Sequence, residues 1–319
     1  MRVLLTGGAG FIGSNFVRLF AQGKFPRFSH IYILDKLTYA GNLQNIDSFL
    51  CDPKITFIQG DVLDKDLVYN LIKSIDLVIN MAAESHVDNS ILDSSPFVMT
   101  NVVGTQTLLE ASLHNRLVKF IQVSTDEVYG SILTGTWDEN SNLEPNSPYS
   151  ASKASADLLV NAFNKTYGLE TVITRCTNNY GPNQFPEKVI PFFIKKLVSG
   201  EKVPVYGSGN QVRDWLYVDD HCMAIYLAAL HGKSGEIYNV GGGTELKNIE
   251  LARLIIKNMG LDENRIEFVA DRPGHDLRYS IVWNKIAQLG YKPTVKFEHQ
   301  FIETVNWYID KFKSERHAT

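Results

Sequence analysis

The sequence predicts an α/β protein built on a doubly wound parallel sheet, followed by a smaller α/β domain. Short, nearly continuous apolar segments alternate with helix-length segments from the first residue, and a glycine-rich motif follows the first apolar segment. Continuous apolar character is expected for parallel strands that helices cover on both faces. With 319 residues, the chain is long enough for one large domain or two unequal ones.

The individual elements follow a βαβ order. Strands are predicted at residues 3–6, 31–35, 56–59, 77–81, 119–124 and 171–174. Helices are predicted at residues 11–22, 64–74, 96–114 and 150–167. Strands that alternate with helices of this length are typical of a Rossmann-like sheet.

The pattern changes after residue 177. A turn cluster occupies residues 180–183, and glycine clusters at 207–209 and 241–243 interrupt the later elements. We therefore expect residues 1–177 to form the larger domain and residues 178–319 the smaller one. The apolar segment 236–240 resembles the earlier core strands, so the chain is expected to return to the large sheet around residues 214–242.

Composition and charge argue against several classes of protein. The 31 Lys and Arg residues against 35 Asp and Glu give a net charge of -4, which attracts neither nucleic acid nor an anionic membrane. No segment approaches the ~20 apolar residues of a membrane span, and the first residues lack the features of a signal peptide. A cytoplasmic protein is expected. Cys51, Cys176 and Cys222 are widely spaced, which favours packing over a disulfide or zinc site.

The first predicted strand ends in a G-x-x-G-x-x-G motif formed by Gly7, Gly10 and Gly13. Gly7 suits a tight turn, Gly10 allows a pyrophosphate to approach the backbone, and Gly13 allows the following helix to pack on the strand. The free N–H groups and the dipole of that helix favour an anion at its N-terminus. This motif predicts a dinucleotide site.

Two acidic residues follow at the ends of the next strands. Asp35 lies 22 residues beyond Gly13, where a carboxylate accepts hydrogen bonds from a ribose 2′-OH and repels a 2′-phosphate. NAD is therefore favoured over NADP, although Lys36 weakens this repulsion. Asp61 is placed either to bind the adenine amino group or to cap the helix that begins near Asp64.

Tyr149 and Lys153 form a Y-x-x-x-K pattern at the start of a predicted helix, so both side chains lie on one face. A phenol is a poor base at neutral pH, but a neighbouring ammonium and a positively charged nicotinamide favour the phenolate. Tyr149 can then remove a hydroxyl proton while hydride leaves for NAD. This pattern is common on ordinary helices, and the preceding dinucleotide motif gives it weight.

The motifs at residues 6–13, 149–153 and 179–182 together resemble the extended short-chain dehydrogenase/reductase family. Segments 83–88, 124–130 and 272–276 are similar to members that dehydrate a nucleotide-linked glucose, and the similarity spans nearly the whole chain. Asp126-Glu127 is the most diagnostic pair, since related epimerases carry small or hydroxyl residues there. Two carboxyls at the end of a core strand supply the general acid and general base that dehydration needs.

The resemblance implies that NAD is tightly held and that dTDP-glucose is dehydrated to dTDP-4-keto-6-deoxyglucose by internal hydride transfer from C4 to C6. Tyr149 removes the O4 proton while Thr125 bonds the C4 oxygen. Glu127 takes the C5 proton, and Asp126 in its acid form protonates the departing C6 hydroxyl. The alternatives are a UDP-sugar 4,6-dehydratase, a nucleotide-sugar 4-epimerase and a non-catalytic NAD-dependent binding protein.

The resemblance also assigns contacts. Cofactor contacts are implied for Gly7, Gly10, Phe11, Ile12, Gly13, Asp35, Asp61, Val62, Ala82, Ala83, Ser124, Tyr149, Lys153 and Asn179. Sugar-nucleotide contacts are implied for Ser85, Thr125, Asp126, Glu127, Asn178, Lys188, Val189, Pro204, Tyr206, Arg213, Asn248, Arg272 and His275. Arg213 and Arg272 suit pyrophosphate oxygens, and Tyr206 suits stacking on a base. Asn89 and Leu277 occupy positions where basic residues are expected, so the preference for a thymidine or a uridine nucleotide stays open.

A homodimer is implied by the family, with helices 96–114 and 150–167 of each subunit forming a four-helix interface. Leu109, Val160 and Phe163 are compatible with that interface, but they can equally cover the sheet. The Asp-Asp-His run at residues 219–221 is interpreted as an N-cap of a helix at 220–230 rather than a metal site. No metal is predicted.

Overall fold

The computed structural model describes residues 1–115, 119–271, 274–294 and 296–317. Its strands are β1 (Arg2–Thr6), β2 (His30–Asp35), β3 (Ile55–Gln59), β4 (Leu77–Asn80), β5 (Lys119–Thr125), β6 (Thr171–Cys176), β7 (Asn178–Tyr180), β8 (Val203–Tyr206), β9 (Val212–Tyr217), β10 (Glu236–Val240), β11 (Glu245–Lys247) and β12 (Ile266–Val269). Its helices are α1 (Phe11–Ala21), α2 (Lys65–Ile72), α3 (Val87–Leu92), α4 (Ser95–Phe97), α5 (Gly104–His114), α6 (Pro148–Tyr167), α7 (Val189–Val198), α8 (Val218–His231), α9 (Asn248–Asn258), α10 (Asn284–Ala287) and α11 (Phe297–His317). Within these described ranges, no helix has both the length and the apolar character needed to cross a membrane.

A seven-stranded sheet in the order β10-β6-β5-β4-β1-β2-β3 forms the centre of the molecule. All of its neighbouring strands are parallel. From β1 the chain first builds outward through β2 and β3 and then in the other direction through β4, β5 and β6. The predicted doubly wound parallel sheet is confirmed, and the predicted strand ends are correct to within two residues.

Helices cover both faces of this sheet. Phe16 on α1 and Ile225 on α8 belong to the core on one face. Leu109 on α5 and Val160 on α6 belong to the core on the other, where both are 0% exposed, and Phe163 packs against the same cluster. Of the two interpretations of these three residues, the structure supports covering of the sheet and not an exposed contact surface.

The predicted helix at residues 96–114 is not a continuous α-helix. It consists of α4, a π-helical segment at Val98–Val103, and α5. The widened turn holds Asn101, whose side-chain amide accepts from the Glu84 N–H at 2.9 Å and donates to the Glu84 carbonyl at 3.0 Å. Asn101 therefore binds the loop that follows β4, a contact that local periodicity does not reveal. π-Helical turns are frequent beside functional sites.

A second core lies beside the sheet. It contains Ile194 on α7, Ile255 on α9 and Phe301 on α11, together with residues of β8 and β9. The small sheets β11-β9-β7 and β12-β8 belong to this part of the molecule. Between its elements the chain returns to the large sheet, because β10 pairs with β6 and α8 packs on α1.

Candidate active site

A cavity of about 280 Å³ lies at the C-terminal ends of the central strands. It opens where the order of the sheet reverses, which is the usual ligand site of an open parallel sheet. All fourteen residues predicted to contact the cofactor line it, and so do Ser85, Thr125, Asp126, Glu127, Asn178 and Lys188 from the substrate set. The fold therefore gathers residues that are far apart in the sequence.

The glycine loop forms one wall of the cavity. Gly7 has a φ of +70°, and a Cβ there would lie 2.8 Å from the Ala82 nitrogen. A Cβ on Gly13 would lie 2.2 Å from the Gly7 carbonyl oxygen. No side chain caps α1 at Gly10, and no acidic residue stands in its first turn. The loop and the positive end of α1 thus fit a pyrophosphate.

Asp35 lies at the end of β2 and is 8% exposed. Its Oδ2 accepts from the Ala9 N–H at 2.9 Å, and its Oδ1 accepts from the Leu37 N–H at 2.9 Å. These bonds hold the carboxylate at the cavity wall, where the remaining lone pairs suit a ribose diol.

Asp61 does not cap α2, so that interpretation is wrong. The N-cap is Asp64, whose side chain accepts from the Leu67 N–H at 3.0 Å. Asp61 instead lines the cavity and forms an ion pair with Lys36 at 3.4 Å. The positive charge of Lys36 is therefore paired with Asp61.

Tyr149 and Lys153 enter the cavity from the first turns of α6. Ser147 and Ser150 form a capping box, which fixes where this helix begins. Lys153 is 4% exposed, and its Nζ donates to the Val123 carbonyl oxygen at 2.7 Å. The Tyr149 hydroxyl shares a hydrogen bond with the side chain of Thr125.

The electrostatics of Tyr149 differ from the sequence-based expectation. Burial raises the pKa of the Tyr149 phenol well above its usual value, and the negative charge of Glu127 raises it further. Burial also lowers the pKa of Lys153, which Asp157 opposes. In the protein alone these effects disfavour the phenolate, and a positive charge bound in the cavity would favour it.

The two carboxyls follow β5 in a 3₁₀ turn at Asp126–Tyr129. Thr125 ends the strand, and its hydroxyl accepts from the Glu127 N–H at 3.3 Å. Asp126 is 3% exposed, and among the described residues its Oδ2 has no hydrogen-bond partner. Burial raises the pKa of Asp126 well above its usual value, and Glu127 and Asp214 add to this effect. These effects favour the protonated form of Asp126, whose side chain lines the same cavity as Tyr149.

The remaining substrate residues do not line the cavity: Val189, Pro204, Tyr206, Arg213, Asn248 and His275 lie outside its wall, and Arg272 lies outside the described residues. Arg213 is 6% exposed and donates to the carbonyl oxygens of Val212 and Asp276 at 2.8 and 3.0 Å. Tyr206 contacts His275 edge-on at 6.0 Å between ring centroids.

The positions that depart from the family pattern occupy different surroundings. The Asn89 side chain hydrogen-bonds to Tyr39, whose ring meets Phe185 edge-on at 5.4 Å. Phe185 lines the cavity, so Asn89 acts on the wall indirectly. Leu277 is 51% exposed.

The predicted N-cap at residues 219–221 is wrong, because α8 begins earlier, after Tyr217. Asp219 forms an ion pair with Arg18, and Asp220 accepts from the hydroxyl of Thr294. The His221 ring nitrogen Nδ1 lies 2.9 Å from the Asn179 side-chain oxygen. Through the contact of His221 with Asn179, this segment supports a residue that lines the cavity.

Sequence reasoning missed several lining residues: Thr38, Met81, Glu84, Thr100, Val123, Cys176, Phe185 and Glu187. Val123 and Cys176 lie at or near the C-terminal ends of β5 and β6, a position that marks them as candidates once the strands are known. Phe185 and Glu187 belong to a loop without a motif, and only the fold brings them to the cavity.

Known proteins share this architecture. A dTDP-glucose 4,6-dehydratase of Streptomyces niveus is 51% identical over 313 residues, covering 97% of this chain and 93% of the relative. The structure of the dTDP-glucose 4,6-dehydratase of Streptomyces venezuelae, solved with NAD and TYD bound, matches with a TM-score of 0.96 at 50% identity and covers 97% of both chains. The UDP-glucuronic acid 4-epimerase of Bacillus cereus, solved with UDP-glucuronic acid and NAD, matches with a TM-score of 0.90 at 31% identity, covering 98% of this chain and 99% of that one.

The resemblance inferred from the motifs is confirmed by these relatives. The family model described as GDP-mannose 4,6 dehydratase matches residues 4–304. This match includes the glycine loop, the adjacent carboxyls and the Tyr149–Lys153 pair, all of which face one cavity. The chain belongs to the GDP-mannose 4,6 dehydratase family.

Proposed function

We propose that this protein dehydrates dTDP-glucose to dTDP-4-keto-6-deoxyglucose, with NAD as its resident cofactor. One observation carries the proposal: Asp126 is buried beside Glu127 in the cavity that also contains Tyr149 and Lys153, and its burial raises the pKa of its carboxyl. An epimerase needs the tyrosine and the cofactor but has no use for a buried acid beside a second carboxylate. The relatives at about 50% identity are dTDP-glucose 4,6-dehydratases, which supports the same function.

The cofactor is proposed to lie along the glycine loop, with its pyrophosphate at the N-terminus of α1 and its adenosine ribose at Asp35. Tyr149 and Lys153 are proposed to hold the nicotinamide ribose. When bound, NAD accepts hydride from C4 of the sugar and returns it to C6. Its positive ring also supplies the charge that the buried phenol of Tyr149 lacks.

Protons are proposed to move through three side chains. Tyr149 takes the O4 proton, and the Thr125 hydroxyl holds the same oxygen, consistent with the hydrogen bond between these two side chains. Glu127 takes the C5 proton, which the C4 ketone makes acidic, and gives a proton back to C5 when hydride is returned to C6. Asp126 gives its proton to the C6 hydroxyl, which leaves as water.

The division of the chain is part of the same proposal. Residues 1–177, with the return at 214–242, are proposed to bind NAD, and the rest of residues 178–319 to bind the sugar nucleotide. Arg213 and Arg272 are assigned to the pyrophosphate, and Tyr206 and His275 to the base. The two bonds that hold Arg213 leave other N–H donors of its guanidinium for the pyrophosphate.

A homodimer built on residues 96–114 and 150–167 of each subunit is also proposed. Its support lies in apolar side chains that the protomer leaves exposed on this side of the sheet: Val98 is 47%, Met99 46% and Leu158 59% exposed. The π-helical segment that carries Val98 and Met99 packs against α6, which carries Leu158. These residues replace Leu109 and Val160 as candidates for the interface.

The function is tested by incubating the purified protein with dTDP-glucose and, separately, UDP-glucose. The expected result with dTDP-glucose is a 4-keto sugar, detected by its absorbance in alkali, and a product lighter by one water by mass spectrometry. Faster turnover of UDP-glucose would instead identify a UDP-sugar dehydratase, and an isomer without loss of water would identify an epimerase. No product from any glucose nucleotide would overturn the catalytic proposal.

A further inference from the structure

Behind the proposed catalytic pair, α6 carries a third polar residue in the same row. Tyr149, Lys153 and Asp157 are four residues apart, so their side chains follow one another along one side of the helix. Asp157 is 0% exposed, and the proton transfers proposed above do not use it. A buried carboxylate is costly unless it is paired, so its presence requires an explanation.

The partner of Asp157 is Arg175 on β6. The Arg175 Nε lies 2.9 Å from Asp157 Oδ2, and Arg175 is 2% exposed. Among the described residues, Asp157 Oδ1 has no hydrogen-bond partner. The Arg175 guanidinium also lies 4.8 Å from the centroid of the Tyr129 ring, and Tyr129 ends the turn that carries Asp126. Arg175 therefore joins α6 to the carboxyl-bearing turn.

The buried carboxylate of Asp157 has a cation on either side: the ammonium of Lys153 precedes it on α6, and the guanidinium of Arg175 pairs with it from β6. Burial lowers the pKa of Lys153, and the negative charge of Asp157 opposes that effect. Without Asp157, two buried cations would remain with no anion between them. A buried ammonium in that situation gives up its proton.

Other titratable groups near Lys153 do not supply this anion. They are Tyr149 on α6, Cys176 on β6, and Asp126 and Glu127 after β5. A Cys176 thiolate would also raise the pKa of Lys153, but burial raises the pKa of this thiol to about 12, so the thiol is neutral at physiological pH. Burial likewise raises the pKa of Tyr149 and of Asp126 well above their usual values. Glu127, on the turn after β5, is not among the groups that shift the pKa of Lys153.

We propose that Asp157, held by Arg175, is a positioning residue that keeps Lys153 positively charged and in place beside Tyr149. The inference rests on the proposed function, in which Lys153 binds the nicotinamide ribose and supports Tyr149. Asp157 contacts neither of these groups and acts through Lys153. Its charge, more than its shape, is what the site requires.

The test replaces Asp157 by Asn, which keeps the size of the side chain and removes its charge. The holoenzyme is assayed with dTDP-glucose from pH 6 to pH 10 in ~0.5 steps, and the NAD retained after gel filtration is measured at each pH. The alkaline limb of kcat is expected to move to lower pH by on the order of one pH unit. NAD retention is expected to fall over the same shifted range.

A matched control is Asp76→Asn, which breaks a carboxylate–arginine pair with Arg2 at the surface. It is expected to leave both profiles unchanged. Arg175→Gln leaves the Asp157 carboxylate buried without its partner, which favours the neutral carboxyl, so its alkaline limb is also expected to move to lower pH. The double variant Asp157→Asn with Arg175→Gln is expected to show the same limb as Asp157→Asn alone, because both changes act through the charge of Asp157. Two independent structural effects would instead add in the double variant.

The inference is overturned if Asp157→Asn folds, by circular dichroism and thermal melting, and retains the wild-type alkaline limb and NAD profile. If Asp157→Asn does not fold, an unshifted limb in Arg175→Gln overturns it instead. Failure of the wild-type protein to dehydrate dTDP-glucose contradicts the proposed function. The NAD retention profiles still test Asp157 in that case.

Discussion

Asp126 and Glu127 are neighbours in the chain but lie in different surroundings. Asp126 is buried, and burial together with the charges of Glu127 and Asp214 raises its pKa. Glu127 is only partly buried at the cavity wall. Two adjacent carboxyls in different environments suit the proposed division into an acid and a base, which an elimination requires.

Replacing Asp126 by Asn is expected to slow product formation by about 10²–10⁴-fold, since the general acid is lost and the shape is kept. In the proposed mechanism, oxidation at C4 uses Tyr149 and does not use Asp126, so reduced nicotinamide is expected to accumulate on the enzyme. Absorbance of the holoenzyme after mixing with dTDP-glucose measures this accumulation.

The matched control for that experiment is Tyr149→Phe, which removes the base for the first step and is expected to prevent formation of reduced nicotinamide. An Asp126→Asn variant that releases water at the wild-type rate would show that Glu127 or solvent supplies the proton.

Among the elements, the N-terminal ends of two helices, α1 and α6, position the site. The glycine loop joins β1 to α1, and the Gly7 and Gly13 positions bring strand and helix too close for any side chain. The capping box at Ser147 and Ser150 sets the start of α6 and with it the position of Tyr149. Rigid elements of this kind hold a site more accurately than free loops do.

Gly13→Ala is expected to destabilise the protein by about 1–3 kcal/mol, because the new Cβ would overlap the Gly7 carbonyl oxygen. It is also expected to abolish NAD retention, since relief of the overlap displaces the loop. Thermal melting and the absorbance of retained cofactor measure the two effects.

Gly23→Ala serves as the control for the loop variant. Gly23 has a φ of +74° but no atom within 4 Å of its Cβ position. It is expected to cost about 1–2 kcal/mol from backbone strain alone and to keep NAD. Retention of NAD by Gly13→Ala would contradict the proposed cofactor position.

At the scale of the whole molecule, the large sheet and the second core share one continuous chain that passes between them more than once. The candidate cavity takes its wall from the ends of the central strands and from the loop at residues 184–188. The return of β10 beside β6 ties the two parts together. Helix α6 faces the cavity with Tyr149 and Lys153, so a substitution on its exposed face is separated from the cavity by the helix.

Leu158→Glu combined with Met99→Glu is expected to convert the proposed homodimer to monomers, because four buried charges would face each other across the interface. Light scattering at micromolar concentration measures the mass. Phe268→Glu, which alters a side chain 59% exposed on β12, is the control and is expected to leave the dimer intact. A wild-type monomer at that concentration would reject the dimer.

Much of the candidate site was predictable because its signals are local. Gly7 to Gly13 and Asp35 occupy fixed positions after apolar strands, and Tyr149 and Lys153 are one helical turn apart. In each case the chemistry follows from residues joined by a short, regular stretch of backbone. The strands themselves were predicted to within two residues because both faces of a parallel sheet are buried, which makes their apolar runs continuous.

The fold class, the dinucleotide loop, the paired carboxyls and the Tyr149–Lys153 pair can all be predicted from local sequence patterns. The burial of Asp126, the bonds from Arg213 to backbone carbonyls, and the ion pair of Asp157 with Arg175 are visible in the folded protein alone. Periodicity reports which way a side chain points along its own element. Burial, pairing and the resulting protonation states depend on which distant segments pack together, and β5, β6 and α6 acquire those neighbours only when the sheet is assembled.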